Sequence, residues 1–101
     1  MTLFLCKTAD VDADEPKQVT LADGRILAVY RLDDGFYATD DVCTHGEASL
    51  AEGEIEGHEI ICPFHLGAFD IRTGEPTRAP CTASLKVYPV VCENGEVMLA
   101  E

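Results

Sequence analysis

Positive charge is scarce in this chain. Of its 101 residues only seven are Lys or Arg, against nineteen Asp or Glu, for a formal net charge of −12 at pH 7. Such a surface repels phosphate backbones and anionic lipid, which excludes nucleic-acid binding and favours basic partners. Long apolar runs are missing too. Stretches such as Ile26-Leu27-Ala28-Val29-Tyr30 fall far short of the roughly 20 residues a membrane-spanning helix needs. The opening Met1-Thr2-Leu3-Phe4-Leu5-Cys6-Lys7-Thr8 has no basic start followed by an apolar core, so no export signal is expected. Five cysteines is an odd number. Without an export signal they suit a disulfide framework poorly, and a reducing cytoplasm is the expected compartment. A small acidic domain of this kind is also expected to be a monomer.

Apolar residues make up 47% of the chain and charged ones 26%, enough to drive the folding of one small domain with a modest core. The pattern is of strands and turns, with no convincing helix. Candidate strands occupy Leu3 to Cys6, a short apolar run, then Gln18 to Leu21, Arg25 to Leu32, Phe36 to Thr39, Gly53 to Glu56, His58 to Cys62, Lys86 to Cys92 and Glu96 to Leu99. Ala22-Asp23-Gly24, Asp33-Asp34-Gly35, Gly57 and Asn94-Gly95 supply the turns between them, and Asn-Gly is the strongest short hairpin signal. This spacing predicts an all-β fold, an antiparallel sandwich or barrel. Asp10 to Glu15 carries four acids in six residues and is read as a solvated loop. Gly74, Pro76 and Pro80 predict an irregular loop between Thr73 and Thr82.

The chemistry lies between residues 43 and 65. Cys43-Thr44-His45 and Cys62-Pro63-Phe64-His65 form a Cys-x-His pair, then sixteen residues, then a Cys-x2-His pair. Structural zinc sites usually keep like ligands together. Here soft thiolate and imidazole alternate, which suits two metal atoms side by side, one taking both cysteines and the other both histidines. A [2Fe–2S] centre with two histidines on one iron meets that demand. Its charge explains the choice: oxidised, a four-thiolate cluster is a dianion, whereas exchanging two thiolates for neutral imidazoles leaves it uncharged. An electron enters the neutral cluster more readily, so the potential rises above that of plant-type ferredoxins.

At these residues the sequence resembles the Rieske family, and within it the small Rieske ferredoxins of bacterial aromatic-ring-hydroxylating dioxygenases. Cys43-Thr44-His45-Gly46 and Cys62-Pro63-Phe64-His65-Leu66-Gly67 match the family's two boxes, and Asp70, Thr73-Gly74 and Tyr88-Pro89-Val90 resemble the ferredoxin branch. The resemblance implies a single Rieske domain over 1–101, an all-β base with a cluster-binding subdomain at about 41–82. It also implies that Cys43 and Cys62 hold the inner iron of one [2Fe–2S] cluster, and His45 and His65 the outer one. Gly46 and Gly67 would allow close backbone approach, and Arg78-Ala79-Pro80 would cover the cluster from the side. The implied function is electron transfer from an NADH-dependent flavoprotein reductase to a terminal Rieske oxygenase, with no reaction catalysed by the chain itself. Glu47 is the best single candidate for a docking charge.

Departures from the respiratory Rieske proteins matter as much. Ala48 and Phe64 stand where those proteins carry a second pair of cysteines, and Gly67 and Phe69 stand where they place hydroxyl donors. A low potential is therefore expected. Other readings are a Rieske-like small subunit of an assimilatory nitrite reductase, a fragment of a larger oxygenase, a zinc-stabilised binding module, and a nucleophilic Cys/His pair. His58 is expected on the surface, and Cys6, Cys81 and Cys92 as small buried side chains.

Overall fold

The computed structural model describes residues 2–43, 48–63, 66–79 and 83–100. Among them eleven strands run in chain order: β1 (Thr2–Lys7), β2 (Lys17–Thr20), β3 (Ile26–Leu32), β4 (Gly35–Asp40), β5 (Glu54–Glu56), β6 (Glu59–Ile61), β7 (Ala68–Asp70), β8 (Pro76–Arg78), β9 (Val87–Tyr88), β10 (Val90–Glu93) and β11 (Glu96–Ala100). Helical structure among the described residues is confined to two 3₁₀ turns, Thr8–Asp10 and Leu50–Glu52. The strands form three antiparallel sheets, with orders β1-β11-β10, β2-β3-β4-β9 and β5-β6-β7-β8. Turn chemistry sets much of this order. Asn94 and Gly95 both lie at positive φ (53° and 78°), as a type I′ turn requires, and they fold β11 back onto β10.

β3 is the hinge of the packing because both its faces are buried. Successive side chains of a strand point to opposite sides. Leu27 and Val29 enter one apolar cluster, with Leu5, Cys6, Val11, Ala38, Val97 and Leu99. Ala28 and Tyr30 enter a second, with Cys43, Leu50, Ile60, Cys62, Phe69 and Ile71. That is why Leu27 to Tyr30 reads as an unbroken apolar run rather than an alternating one. The second cluster joins the β2-β3-β4-β9 sheet to the β5-β6-β7-β8 sheet, whose strands all lie between residues 54 and 78.

Three expectations need correction. Lys86 to Cys92 is not one strand. Pro89 has no N–H to give a ladder, and the chain divides there: β9 pairs with β4, β10 pairs with β11, and the Pro89 carbonyl accepts the Ala100 N–H at 2.9 Å. The stretch from Thr73 to Thr82 is not wholly irregular, since β8 pairs with β7 within it. Cys92 is exposed, unlike Cys6, and lies on β10, the edge strand of its sheet. Asp10 to Glu15 does face solvent, except for Val11, which reaches the core.

A phenol reinforces the pairing of β9 with β4. Tyr88 Oη donates to Asp40 Oδ1 at 2.5 Å. Partial burial, reinforced by that bond, pushes the Tyr88 phenol up to about 12 from its ordinary 10. Burial raises the Tyr30 phenol as well, beside Thr39. A raised folded-state value stabilises the fold fully below pH 10, and that contribution is lost as pH climbs through the folded value. Urea denaturation should show stability falling between pH 10 and 12. In Tyr88→Phe the decline should be shallower, with Tyr30 accounting for part of what is left. An unchanged slope would show that the phenol is not linked to folding.

Candidate metal centre

Alternation continues past the end of β4 and aims the next residues. Asp41 points inward and is 2% exposed, Val42 points out at 49%, and Cys43 points inward again at 2%. Val42 bridges Ser49, and the Cys43 N–H donates to the Ala48 carbonyl at 3.0 Å. Cys43 and Ala48, the described ends of the first ligand segment, are thus tied together. After β6 the second loop repeats the device: the Cys62 N–H donates to the Gly67 carbonyl at 2.7 Å. In both cases a cysteine N–H bonds the carbonyl five residues on. Each loop begins with a buried cysteine, and both thiols belong to the same apolar cluster, with Ala48, Leu50, Ile60 and Phe69 around them.

The two loops are braced differently. The Asp41 carboxylate holds both legs of the first. Its Oδ1 accepts from Ser49 Oγ and the Ala51 N–H, both at 3.0 Å, and its Oδ2 accepts from Ser49 Oγ at 2.8 Å and Gln18 Nε2 at 2.9 Å. Its carbonyl accepts the Leu50 N–H at 2.7 Å. The second loop carries strain instead. Leu66 lies at φ 60°, a left-handed conformation that side-chain-bearing residues seldom adopt, and its side chain is 62% exposed. Leu66, Pro63 and Cys62 line a depression of about 200 Å³ bordered by Glu52 and Glu54. Gly53, on its rim, fits against the Ile61 carbonyl so closely that a Cβ there would lie 2.1 Å from the oxygen.

Gly74 holds the chain that follows. It sits at φ 81°, its N–H donates to the Asp70 carbonyl at 2.7 Å, and its own carbonyl accepts the Leu85 N–H at 2.7 Å. That last bond closes the excursion containing Arg78 and Ala79. His58 lies in the turn between β5 and β6, exposed, with its Nδ1 3.6 Å from Asp70 Oδ2. It is a surface residue, as expected.

The structure therefore brings together Cys43 and Cys62. The histidines expected to join them, His45 and His65, lie outside the described residues, as do Gly46, Glu47, Phe64, Pro80 and Cys81. Among the described residues no group of three or more His, Cys, Asp or Glu converges to make a rival metal site. The donor set fits a Rieske cluster: two buried soft thiols in one apolar cluster, each opening a short loop whose sequence also carries a histidine. Two features escaped the sequence reading. Asp41 is one acid among nineteen, and its only signal was its place at a strand end two residues before a cysteine. The strained backbone at Leu66 left no signal.

Residues 1–89 match the Rieske [2Fe–2S] domain, and the chain belongs to that family. Its cofactor is the Rieske [2Fe–2S] cluster. The chain is similar to small ferredoxins of the family. It is 47% identical over 98 residues to ferredoxin CarAc of Metapseudomonas resinovorans, covering 97% of this chain and 92% of that one. The ferredoxin of Sphingomonas yanoikuyae B1 superposes with a TM-score of 0.95 at 42% identity, over 100% of this chain and 99% of that one. A ferredoxin solved in complex with the oxygenase of carbazole 1,9a-dioxygenase superposes with a TM-score of 0.90 at 46% identity, over 98% and 92% of the two chains.

Proposed function

We propose that this chain is the ferredoxin of an aromatic-ring dioxygenase system, carrying single electrons from an NADH-dependent flavoprotein reductase to a terminal Rieske oxygenase. It performs no bond-making step of its own. The observation that carries the reading is the pair of matching loops that seat Cys43 and Cys62 in one apolar cluster. Cys43 and Cys62 hold the inner iron in this reading, and His45 and His65 the outer one. When bound, the cluster supplies a one-electron couple. The residues around it set what that couple is worth and who can reach it. Residues 41–82 are the cluster-binding subdomain, and the protein works as a cytoplasmic monomer.

Docking follows from charge and exposure. Leu66 gives the second loop an exposed apolar side chain, and Glu52 and Glu54 border it with negative charge. A basic partner face complements that surface, and the encounter should weaken as salt rises. The reading is tested by reconstitution. With NADH, a flavoprotein reductase and a terminal Rieske oxygenase, the chain should be reduced and then reoxidised by the oxygenase, more slowly at high ionic strength. Failure to accept electrons from any such reductase, with copurification of a sirohaem subunit, would favour the nitrite-reductase reading. A colourless protein with stoichiometric zinc would favour a binding module.

The surroundings of the thiols also set the potential. Phe69 is fully buried in their cluster and, like Gly67, offers no side-chain donor. Without hydroxyls to stabilise added negative charge, the midpoint should lie near the bottom of the Rieske range, about −150 mV. Phe69→Tyr introduces one donor. A hydrogen bond to a charged acceptor is worth about 1.5 kcal/mol, roughly 60 mV for one electron, and the midpoint should rise by about that much. A wild-type value well above zero would contradict this account of the site.

A further inference from the structure

We propose that Asp41 is a positioning residue for the first ligand loop, its buried carboxylate fixing where Cys43 and the loop it opens present themselves to the cluster. The inference rests on the ligand assignment above and goes beyond it. Asp41 contributes no ligand. It acts through the backbone on either side of the loop, because it precedes Cys43 by two residues while its acceptor bonds go to Ser49 and to Ala51, the latter in the 3₁₀ turn that follows the loop. The bond to Gln18 Nε2 fastens this clamp to β2, in the base of the fold. The main chain adds two more ties, Asp41 N–H to the Ile26 carbonyl at 3.0 Å and Leu50 N–H to the Asp41 carbonyl at 2.7 Å.

Chemistry favours a carboxylate at this point. Four donor contacts converge on two oxygens, from Gln18, the Ala51 amide and the Ser49 hydroxyl, which faces both oxygens. A carboxylate accepts at every lone pair, whereas a neutral amide must point two hydrogens towards donors. Leaving such partly buried donors without an acceptor carries a cost. The second loop has no equivalent carboxylate among the described residues, and its cysteine follows β6 directly. The first loop leaves its sheet at Asp41, and the side chain there substitutes for the missing ladder.

The test uses the cluster-loaded protein and measures three things: iron release to a strong chelator under native conditions, the EPR spectrum of the reduced protein, and thermal unfolding. Asp41→Asn should accelerate cluster loss about tenfold and shift the EPR g values, at a temperature where the fold is intact by circular dichroism. Adding Gln18→Glu restores an acceptor facing the new amide, and should return both the release rate and the spectrum towards wild type. If Asp41→Asn does not fold, Gln18→Ala and Ser49→Ala, each removing part of the clamp, should change both readouts in the same direction by less. The proposal is overturned if these variants lower the melting temperature while cluster loss and the EPR spectrum stay unchanged, or if the paired exchange restores neither. A wild-type chain that never takes up iron and sulfide would instead defeat the ligand assignment.

Discussion

Cys62→Ala should give a folded chain with no iron and no acid-labile sulfide. The side chain is fully buried in an apolar cluster, so exchanging a thiol for a methyl removes little volume. The loop's closing bond runs from the Cys62 backbone N–H to the Gly67 carbonyl, and the substitution leaves it intact. Packing alone costs on the order of 1 kcal/mol, well inside the margin of a domain this size. The ligand loss is of another order. A [2Fe–2S] cluster needs four protein donors, and metal-site binding energy is itself folding energy. The variant should therefore be colourless and melt below the loaded wild type while keeping its β-sheet circular dichroism. Iron and sulfide assays decide the matter, and a variant that kept stoichiometric iron would remove Cys62 from the ligand set.

Gly74→Ala should be the most damaging single change to the fold itself. At φ 81° an alanine is strained by about 1 kcal/mol before any contact is considered. The added Cβ would also lie 2.0 Å from the Leu85 carbonyl oxygen and 3.2 Å from Val87 Cγ1. The obstruction is backbone, which cannot rotate away, and the Gly74–Leu85 hydrogen bond must stretch or break to make room. A combined cost of about 4 kcal/mol is expected, enough to lower the melting temperature by roughly 20 °C. The same bond closes the segment that includes Arg78 and Ala79, so the surviving folded fraction should also lose its cluster faster. A melting temperature within a few degrees of wild type would show that Leu85 is free to retreat.

Much of this was legible in the residues. Cys43, His45, Cys62 and His65 could be singled out as the proposed ligands because metal chemistry ties ligand type to spacing, and that relation holds before any fold is known. The hairpins at Asp23-Gly24 and Asn94-Gly95 were legible for a similar reason, since few residues tolerate their dihedrals. β7 and β8 were not: three residues are too few for an alternation to register, and Pro76 in a strand argues against one unless the strand is an edge, which β8 is. The break at Pro89 was hidden by the apolar residues on both sides, and only pairing to two different sheets exposes it. Asp41 stayed hidden because its role depends on partners 23, 8 and 10 residues away, and an acidic chain gives no reason to pick one acid from the rest.

The central claim, a Rieske cluster held by two cysteines and two histidines, is tested most directly by iron and acid-labile sulfide content together with the EPR spectrum of the dithionite-reduced protein. Two irons and two sulfides per chain, with an average g value clearly below that of an all-cysteine ferredoxin, is the predicted result. Zinc without sulfide, and no EPR signal after anaerobic preparation, would contradict it.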